Sequence, residues 1–447
     1  MPVTQHLSLP RYAVTLTFTF LVAVGSIVLT GCREERPLTF EPNLVHSMKY
    51  QIREEIPMDQ ASEDAFWVTT QMFGTPESPK LPEVVTEDEE FASLVSLENL
   101  ERAAGPKTAE GRGLYQKHCA SCHGDTGDGR GVTAAILNPY PRDYRKGVFK
   151  FKSTERGAKP TRDDLAELIR EGIPGSAMVK IPELTEQDVE ALVDYVIYLS
   201  WRGELERALI DDAIFELDLG GGDRIINPAD QSSLDEERKD LFAESWEIAE
   251  YIALDIGESW LEADEMIIEA PDPPEDMVVS DSYEDFVRLN QSDQADELAA
   301  SIERGRELFV GKIASCSKCH GERGLGDGQT TDYDDWTKDW TVGAGIKPED
   351  RDALVPLLAR GALTPLNANP RNFSLGAFHG GDSAKDLYLR ITQGIEGSPM
   401  PAATFVEGKF EQRDVWHLIN FIRSLQTPPE EVEQGTVQEG DIEGDSA

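Results

Sequence analysis

The chain has 447 residues, 39% of them hydrophobic, with 42 Lys and Arg set against 84 Asp and Glu. That length allows two to four domains, each able to bury its own core, and a net charge of −42 excludes nucleic acid, whose phosphates are held by Lys and Arg. Five cysteines are too few for a disulfide scaffold, and the acid excess favours a very soluble body with an electropositive docking partner.

Residues 1–31 carry one cation, Arg11, and no acid, and an apolar run from Tyr12 to Leu29 ends in Leu29-Thr30-Gly31-Cys32. This resembles the lipobox of bacterial lipoproteins. The resemblance implies that 1–31 is a lipoprotein signal peptide, cut before Cys32, whose thiol is then lipidated. The other reading is an uncleaved anchor, since 18 apolar residues approach the roughly 20 that span a bilayer. Either way the remainder lies outside the cytoplasm, on the periplasmic side, tied to a membrane.

Charge then divides the chain. Residues 32–105 carry −10, residues 106–201 are neutral, 202–300 carry −24, 301–427 carry −2 and the tail 428–447 carries −7. Two near-neutral blocks are set among three acidic segments. Residues 32–105, which mix prolines, acids and scattered apolar side chains, read as an acidic tether, with Phe66-Trp67 and Met72-Phe73 as docking points. Residues 202–300 read as a largely helical insert, because Phe242, Trp246, Ala249, Ala253, Ile256 and Trp260 recur on one helical face. Gly257 weakens that helix near its end. The insert serves either as a docking surface for a basic partner or as a spacer packed on its neighbours with its acids solvated; the spacer is favoured. The tail reads as disordered.

The neutral blocks repeat one another. Gly111-Arg-Gly-Leu-Tyr115 and Cys119-Ala-Ser-Cys122-His123-Gly124 answer to Gly305-Arg-Glu-Leu-Phe309 and Cys316-Ser-Lys-Cys319-His320-Gly321. Asn138-Pro-Tyr-Pro141-Arg142-Asp143-Tyr144 answers to Asn367-Ala-Asn-Pro370-Arg371-Asn372-Phe373, and Gly172-Ile-Pro-Gly-Ser-Ala-Met178 to Gly394-Ile-Glu-Gly-Ser-Pro-Met400. Each block closes on an amphipathic helix, from Asp188 and from Asp414. Five landmarks in one order mean duplication.

Cys-x-x-Cys-His is the attachment signature of c-type haem: two thiols bond one porphyrin edge and the next histidine reaches the iron. Zinc would want four protein ligands, which neither block supplies, and a redox Cys-x-x-Cys has no use for the histidine twice. Two covalently bound haem c groups are therefore expected, on Cys119 and Cys122 and on Cys316 and Cys319, with His123 and His320 on the irons. Met178 and Met400 are the sole methionines of their blocks and sit at the same place in the repeat. Each is the expected sixth ligand, a soft thioether that raises the potential, although packing is methionine's common fate. His379 and His417 are rivals at the second iron, but neither has a counterpart in block one. Arg142 and Arg371 are candidates to hold haem propionates, or else form ordinary surface ion pairs, with Asp143 or another acid.

Each block resembles a class I cytochrome c domain, and the whole a bacterial dihaem c-type cytochrome lipoprotein. The resemblance covers about half the chain. It implies a mainly α fold of two tandem domains, 106–201 and 301–427, in which a first helix with glycine and an aromatic (Gly111 and Tyr115, Gly305 and Phe309) crosses the last one near Tyr195 and Phe421. The family often fixes its haem histidine through the carbonyl of a following Gly-Pro. Here Gly131-Val132 and Thr330-Thr331 stand nearby instead, and the responsible carbonyl is open. Block two is also longer between His320 and Met400, 80 residues against 55 from His123 to Met178. This places a surface insertion near 324–366, with Trp336 and Trp340 and a helix at Pro348–Arg360.

The function expected is passage of single electrons between respiratory-chain partners, such as a quinol-oxidising complex, a cytochrome oxidase or another cytochrome. The chain serves as a free carrier or as a subunit, and no catalytic residue is expected. The alternative is a dihaem enzyme resembling the cytochrome c peroxidases, which two methionine-capped irons disfavour.

Overall fold

A computed structural model of the chain describes residues 37–105, 113–328 and 332–427. Cys32 and the leader, Gly111, Thr330-Thr331 and the acidic tail lie outside the described residues. The fold is mainly helical, and the only sheet among the described residues is a hairpin pairing Gly74–Thr75 with Ser78–Pro79. No described helix is long and apolar enough to cross a membrane.

Residues 39–105 are not a tether. They fold into helices, chiefly α1 (Leu44–Glu54), α2 (Asp59–Phe73) and α3 (Leu97–Ala104). Met58, Ala61, Ala65, Val68 and Met72 recur every three or four residues and are all buried, as are Phe40 and Phe73. This layer covers α4 (Glu186–Glu216), a helix of 31 residues opened by a Thr185/Asp188 capping box. Phe73 packs on Tyr198 and Trp201 with centroids 5.7 and 6.0 Å apart, and the Tyr195 hydroxyl donates to the Pro76 carbonyl at 3.2 Å.

At about 46 Å, α4 runs straight through the boundary that charge places between 201 and 202. One face stays buried as far as Ala213, including Arg202 and Glu206, which pair at 3.0 Å. Glu206 also accepts the Asn43 backbone N–H at 2.6 Å, and Arg202 donates to Thr69 at 3.0 Å. The ion pair therefore ties the start of the folded chain to α4.

The aromatic stripe of the acidic insert lies on α5 (Glu236–Leu261). Ala249, Ala253, Ile256 and Trp260 are buried, and Phe242 and Trp246 meet Trp67 at 6.1 Å each. The helix passes through Gly257 unbroken because the glycine serves packing: a Cβ there would lie 2.5 Å from the Trp201 indole. That indole is fully buried and donates to the Ala253 carbonyl at 2.7 Å. Trp201→Ala should cost about 3–5 kcal/mol, read as a shift in the denaturant midpoint, and loosening of α5 in hydrogen exchange should accompany it.

The second repeat begins on α6 (Ala295–Val310), passes through α7 (Asp335–Thr341) and α8 (Arg351–Leu358), and closes on α9 (Asp414–Ser424). The α6–α9 crossing puts Gly305 against the His417 carbonyl, where a Cβ would sit 2.0 Å away. Phe309 and Phe421 pack at 5.1 Å and 55°, and Tyr115 and Tyr195 make the matching contact at 4.9 Å and 52°. His417 is taken up by this crossing, with Nδ1 2.7 Å from the Ser301 hydroxyl. Asn420 of α9 accepts from the Ser280 backbone and hydroxyl at 3.0 and 2.8 Å. Residues before 301 therefore pack on the second repeat, and α6 straddles the charge boundary at 301.

The insertion is not merely a surface addition. It docks on the first domain. Asp339 of α7 pairs with Arg207 at 2.9 Å and Lys49 at 3.7 Å, the Tyr140 hydroxyl donates to the Thr364 carbonyl at 2.9 Å, and Arg130 donates to the Gly361 carbonyl at 3.0 Å. Burial works against the Asp339 carboxylate, but Arg207, Lys146 and Lys49 together hold its pKa far below the ordinary range. A depressed carboxylate stabilises above its unfolded value, about 4, and that contribution drains away as pH falls toward the folded value. Docking should therefore persist at neutral pH and weaken below about pH 4. Asp339→Asn strands several cations and should cost about 3–5 kcal/mol at pH 7, seen as faster hydrogen exchange across 335–341.

Candidate functional site

Each Cys-x-x-Cys-His stretch is a single turn, Ala120–His123 or Ser317–His320, ended by a glycine at positive φ, Gly124 at 81° or Gly321 at 74°. A glycine-rich loop then folds back in the same way twice. Gly129 donates to the His123 carbonyl at 2.8 Å and Gly131 to the Cys122 carbonyl at 3.0 Å; Gly326 and Gly328 do the same to His320 and Cys319 at 2.9 and 3.2 Å. Gly127 and Gly324, both at positive φ, accept from the Tyr144 and Phe373 backbones at 2.8 and 2.7 Å. Sequence reasoning passed over this loop as a repeated pattern. Its signal was present, since Gly-x-x-Gly-x-Gly-x-Gly follows the histidine in both blocks.

The carbonyl left open by the sequence is that of the arginine in the Pro-Arg stretch. His123 Nδ1 lies 3.1 Å from the Arg142 carbonyl and His320 Nδ1 3.2 Å from that of Arg371. A carbonyl only accepts, so Nδ1–H donates and Nε2 keeps the lone pair that a metal needs. The His123 ring stacks on Tyr144 at 4.8 Å, and His320 on Phe373 at 4.6 Å. Burial lowers both imidazole pKa values, that of His123 to about 4, so the rings are neutral.

Burial also pushes the Cys119 thiol up to about 12 and the Cys316 thiol to about 11. The two thiols and the imidazole of each site do not converge on one point, and no group of three or more His, Cys, Asp and Glu among the described residues could hold a bare ion. That donor set suits a porphyrin edge and its iron rather than zinc.

Met178 and Met400 occupy identical turns. Ile173 donates to the Met178 carbonyl at 2.7 Å and Ile395 to that of Met400 at 3.1 Å. Ser176 and Ser398 each donate to the isoleucine carbonyl at 2.8 Å and accept from the methionine N–H at 3.1 and 3.3 Å. Both methionines are half-buried.

Arg142 does not pair with Asp143, which instead binds Arg145 at 2.7 Å. Its guanidinium lies 3.3 Å from the Trp336 ring centroid with no carboxylate of the described residues in ion-pair range, and desolvation pulls its pKa down to about 10. Arg371 rests on His379, its Nη2 within hydrogen-bond distance of both ring nitrogens. Two desolvated guanidinium groups without a carboxylate are the feature a haem, with its two propionates, would satisfy.

The two sites meet face to face. Gly175, in the Met178 turn, lies against Arg371, where an added Cβ would be 3.4 Å from Nη1. Gly397, in the Met400 turn, lies under Trp336 and thereby against Arg142. Phe151 stacks edge-on to His379 at 5.6 Å, and Lys152 binds Glu396 at 2.7 Å. Each methionine turn thus abuts the neighbourhood of the opposite Pro-Arg stretch.

The family model for cytochrome c matches residues 108–200 and 302–426, one region for each site. These are two cytochrome c domains. Their presence implies covalently bound haem c and haem-based electron transfer. No curated protein matches the chain. The chain is similar to a solved structure from Kuenenia stuttgartiensis, a reducing HAO-like protein complex, at 23% identity, covering 70% of this chain and 94% of that one with a TM-score of 0.38. Between the two cytochrome c domains the chain places the second half of α4 and all of α5.

Proposed function

We propose that the protein is a membrane-tethered dihaem cytochrome c that passes single electrons between respiratory-chain partners, as a free carrier or as a subunit of a larger assembly. One haem is held by Cys119 and Cys122 with His123 and Met178 on its iron, the other by Cys316 and Cys319 with His320 and Met400. Haem supplies one-electron chemistry at iron when bound. The chain's own residues orient the imidazoles through the Arg142 and Arg371 carbonyls, present the thioethers on serine-braced turns, and bring cationic side chains to the propionates. Lipid at Cys32 tethers the body on the periplasmic side. The partners are redox proteins: a quinol-oxidising complex, a cytochrome oxidase or another cytochrome.

The observation that carries this reading is the duplication of the whole ligand-positioning apparatus, with the copies facing one another. A carrier needs two saturated irons close together, whereas an enzyme needs one iron with an open position.

Carbon monoxide added to the dithionite-reduced protein tests it. The carrier expectation is that neither haem spectrum shifts, because both irons stay six-coordinate. Binding at one haem would move the assignment to a dihaem enzyme, with peroxidase turnover as the next assay.

A further inference from the structure

Trp336 belongs to the insertion of the second domain, yet both domains use its indole. The Arg142 guanidinium lies over the ring at 3.3 Å, with the Lys146 and Lys150 ammonium groups at 5.6 and 5.5 Å. From the other domain Gly397 presses on the same ring, leaving no space for a Cβ, which would fall 2.0 Å from it. The Asp335 backbone fixes the contact by donating to the Gly397 carbonyl at 3.3 Å.

Two donors at this point lack acceptors. The indole Nε1–H is buried without a hydrogen-bond partner, and Arg142 has no carboxylate of the described residues within ion-pair range. An unsatisfied buried donor is destabilising, and a desolvated cation without an anion more so. Of the nearby acids, Asp143 pairs with Arg145 and Asp339 with Arg207 and Lys49, while Asp334 caps the Thr337 backbone at 3.0 Å and favours the Arg142 charge only from beyond ion-pair range. Lys150 also has no ion-pair partner among the described residues and adds positive potential from the first domain.

We propose that Arg142 and Trp336 form a carboxylate-binding site that neither cytochrome c domain completes alone, occupied by a propionate of the haem on Cys119 and Cys122. The inference rests on the dihaem reading. The Arg142 carbonyl carries the His123 imidazole, so its guanidinium is fixed at the rim of that haem's pocket. Trp336 is brought there by the second domain's insertion, whose Asp339 is clamped to the first domain. A propionate charge placed here lies beside the turn that presents Met400. The insertion thereby links the potential of the first haem to the packing of the second. Arg371 has no tryptophan opposite it and leans on His379, so the linkage is one-sided.

The test is a spectroelectrochemical titration of the full-length, two-haem protein from pH 5 to 9. Trp336→Phe keeps an aromatic ring beside Arg142 but deletes the N–H donor. Both haems should stay six-coordinate and low-spin, while one midpoint falls, because a less neutralised propionate favours ferric iron. The expected shift is a five- to tenfold change in the one-electron equilibrium constant, about 41 to 59 mV. Arg142→Lys should lower the same midpoint, and the double variant should shift it by less than the sum of the two. Unchanged potentials in Trp336→Phe would overturn the site. Added acetate distinguishes the source of the carboxylate: a wild-type midpoint that moves with acetate, and stops moving in Trp336→Phe, would overturn the propionate in favour of a free anion. A wild-type chain that loads no haem on Cys119 and Cys122 would overturn this inference together with the dihaem reading.

Discussion

A chain carrying Cys316→Ala and Cys319→Ala should hold one haem in place of two, and its second domain should melt well before its first. The haem count follows from the proposed attachment: without thiols neither thioether forms, and His320 alone is a weak hold on iron. The stability asymmetry follows from the cores. Among the described residues the second domain's core contains 14 buried apolar side chains, from Leu308 to Ile422, whereas the core that includes the first site has 37. Phe373, Phe378 and Phe309 cluster around His320, so an absent porphyrin leaves a void where that core has least to spare. Large cavities in well-packed cores cost several kcal/mol, rising by about 24 cal/mol per Å³. The reciprocal variant, Cys119→Ala with Cys122→Ala, should also bind one haem but lose much less thermal stability, because α2, α4 and α5 pack on one another independently of the site. Haem absorbance per chain and a two-transition melt by circular dichroism measure both effects. Equal losses of stability in the two variants would contradict the asymmetry.

What the sequence made legible was whatever the duplication wrote twice. The Cys-x-x-Cys-His turns, the Pro-Arg stretches, the methionine turns and the closing helices could be read by laying one block over the other. Features present once were harder. Residues 39–105 hid a helical period, Met58 to Met72, behind their acids and behind alanines that look neutral in composition yet pack closely on α4. That one helix continues past the charge boundary at 201 was hidden because Arg202 and Glu206, which look like surface residues, are buried as a pair. The partner of the imidazoles was invisible because it is a main-chain carbonyl, and the backbone of Arg142 has no signature separate from its side chain. The docking of Trp336 and Asp339 on the first domain depends on contacts more than 130 residues apart for Arg207 and Asp339, which no local periodicity encodes.

The second large effect concerns the sixth ligands. Met178→Ala and Met400→Ala should each open one iron to carbon monoxide and lower that haem's potential by a sizeable part of the roughly 0.8 V that axial ligation commands. The turns themselves should survive. Their hydrogen bonds come from Ile173, Ser176 and the Met178 backbone, and from Ile395, Ser398 and the Met400 backbone, none of which involves the thioether. Alanine keeps all of them, so the change falls on the iron and not on the fold. A serine variant separates the two roles. Ser398→Ala deletes both hydroxyl contacts, worth about 0.5–1.5 kcal/mol each, and should make the Met400 ligand more labile without removing it. Its ferrous spectrum should stay six-coordinate, with slow and partial carbon monoxide binding. Imidazole added to Met400→Ala should restore a low-spin spectrum while leaving the potential low, because a nitrogen ligand lacks the preference of sulfur for ferrous iron. If Met400→Ala neither binds carbon monoxide nor changes potential, the sixth ligand is another side chain. In that event His379 and His417, the rivals the sequence offers at the second iron, are the next residues to substitute.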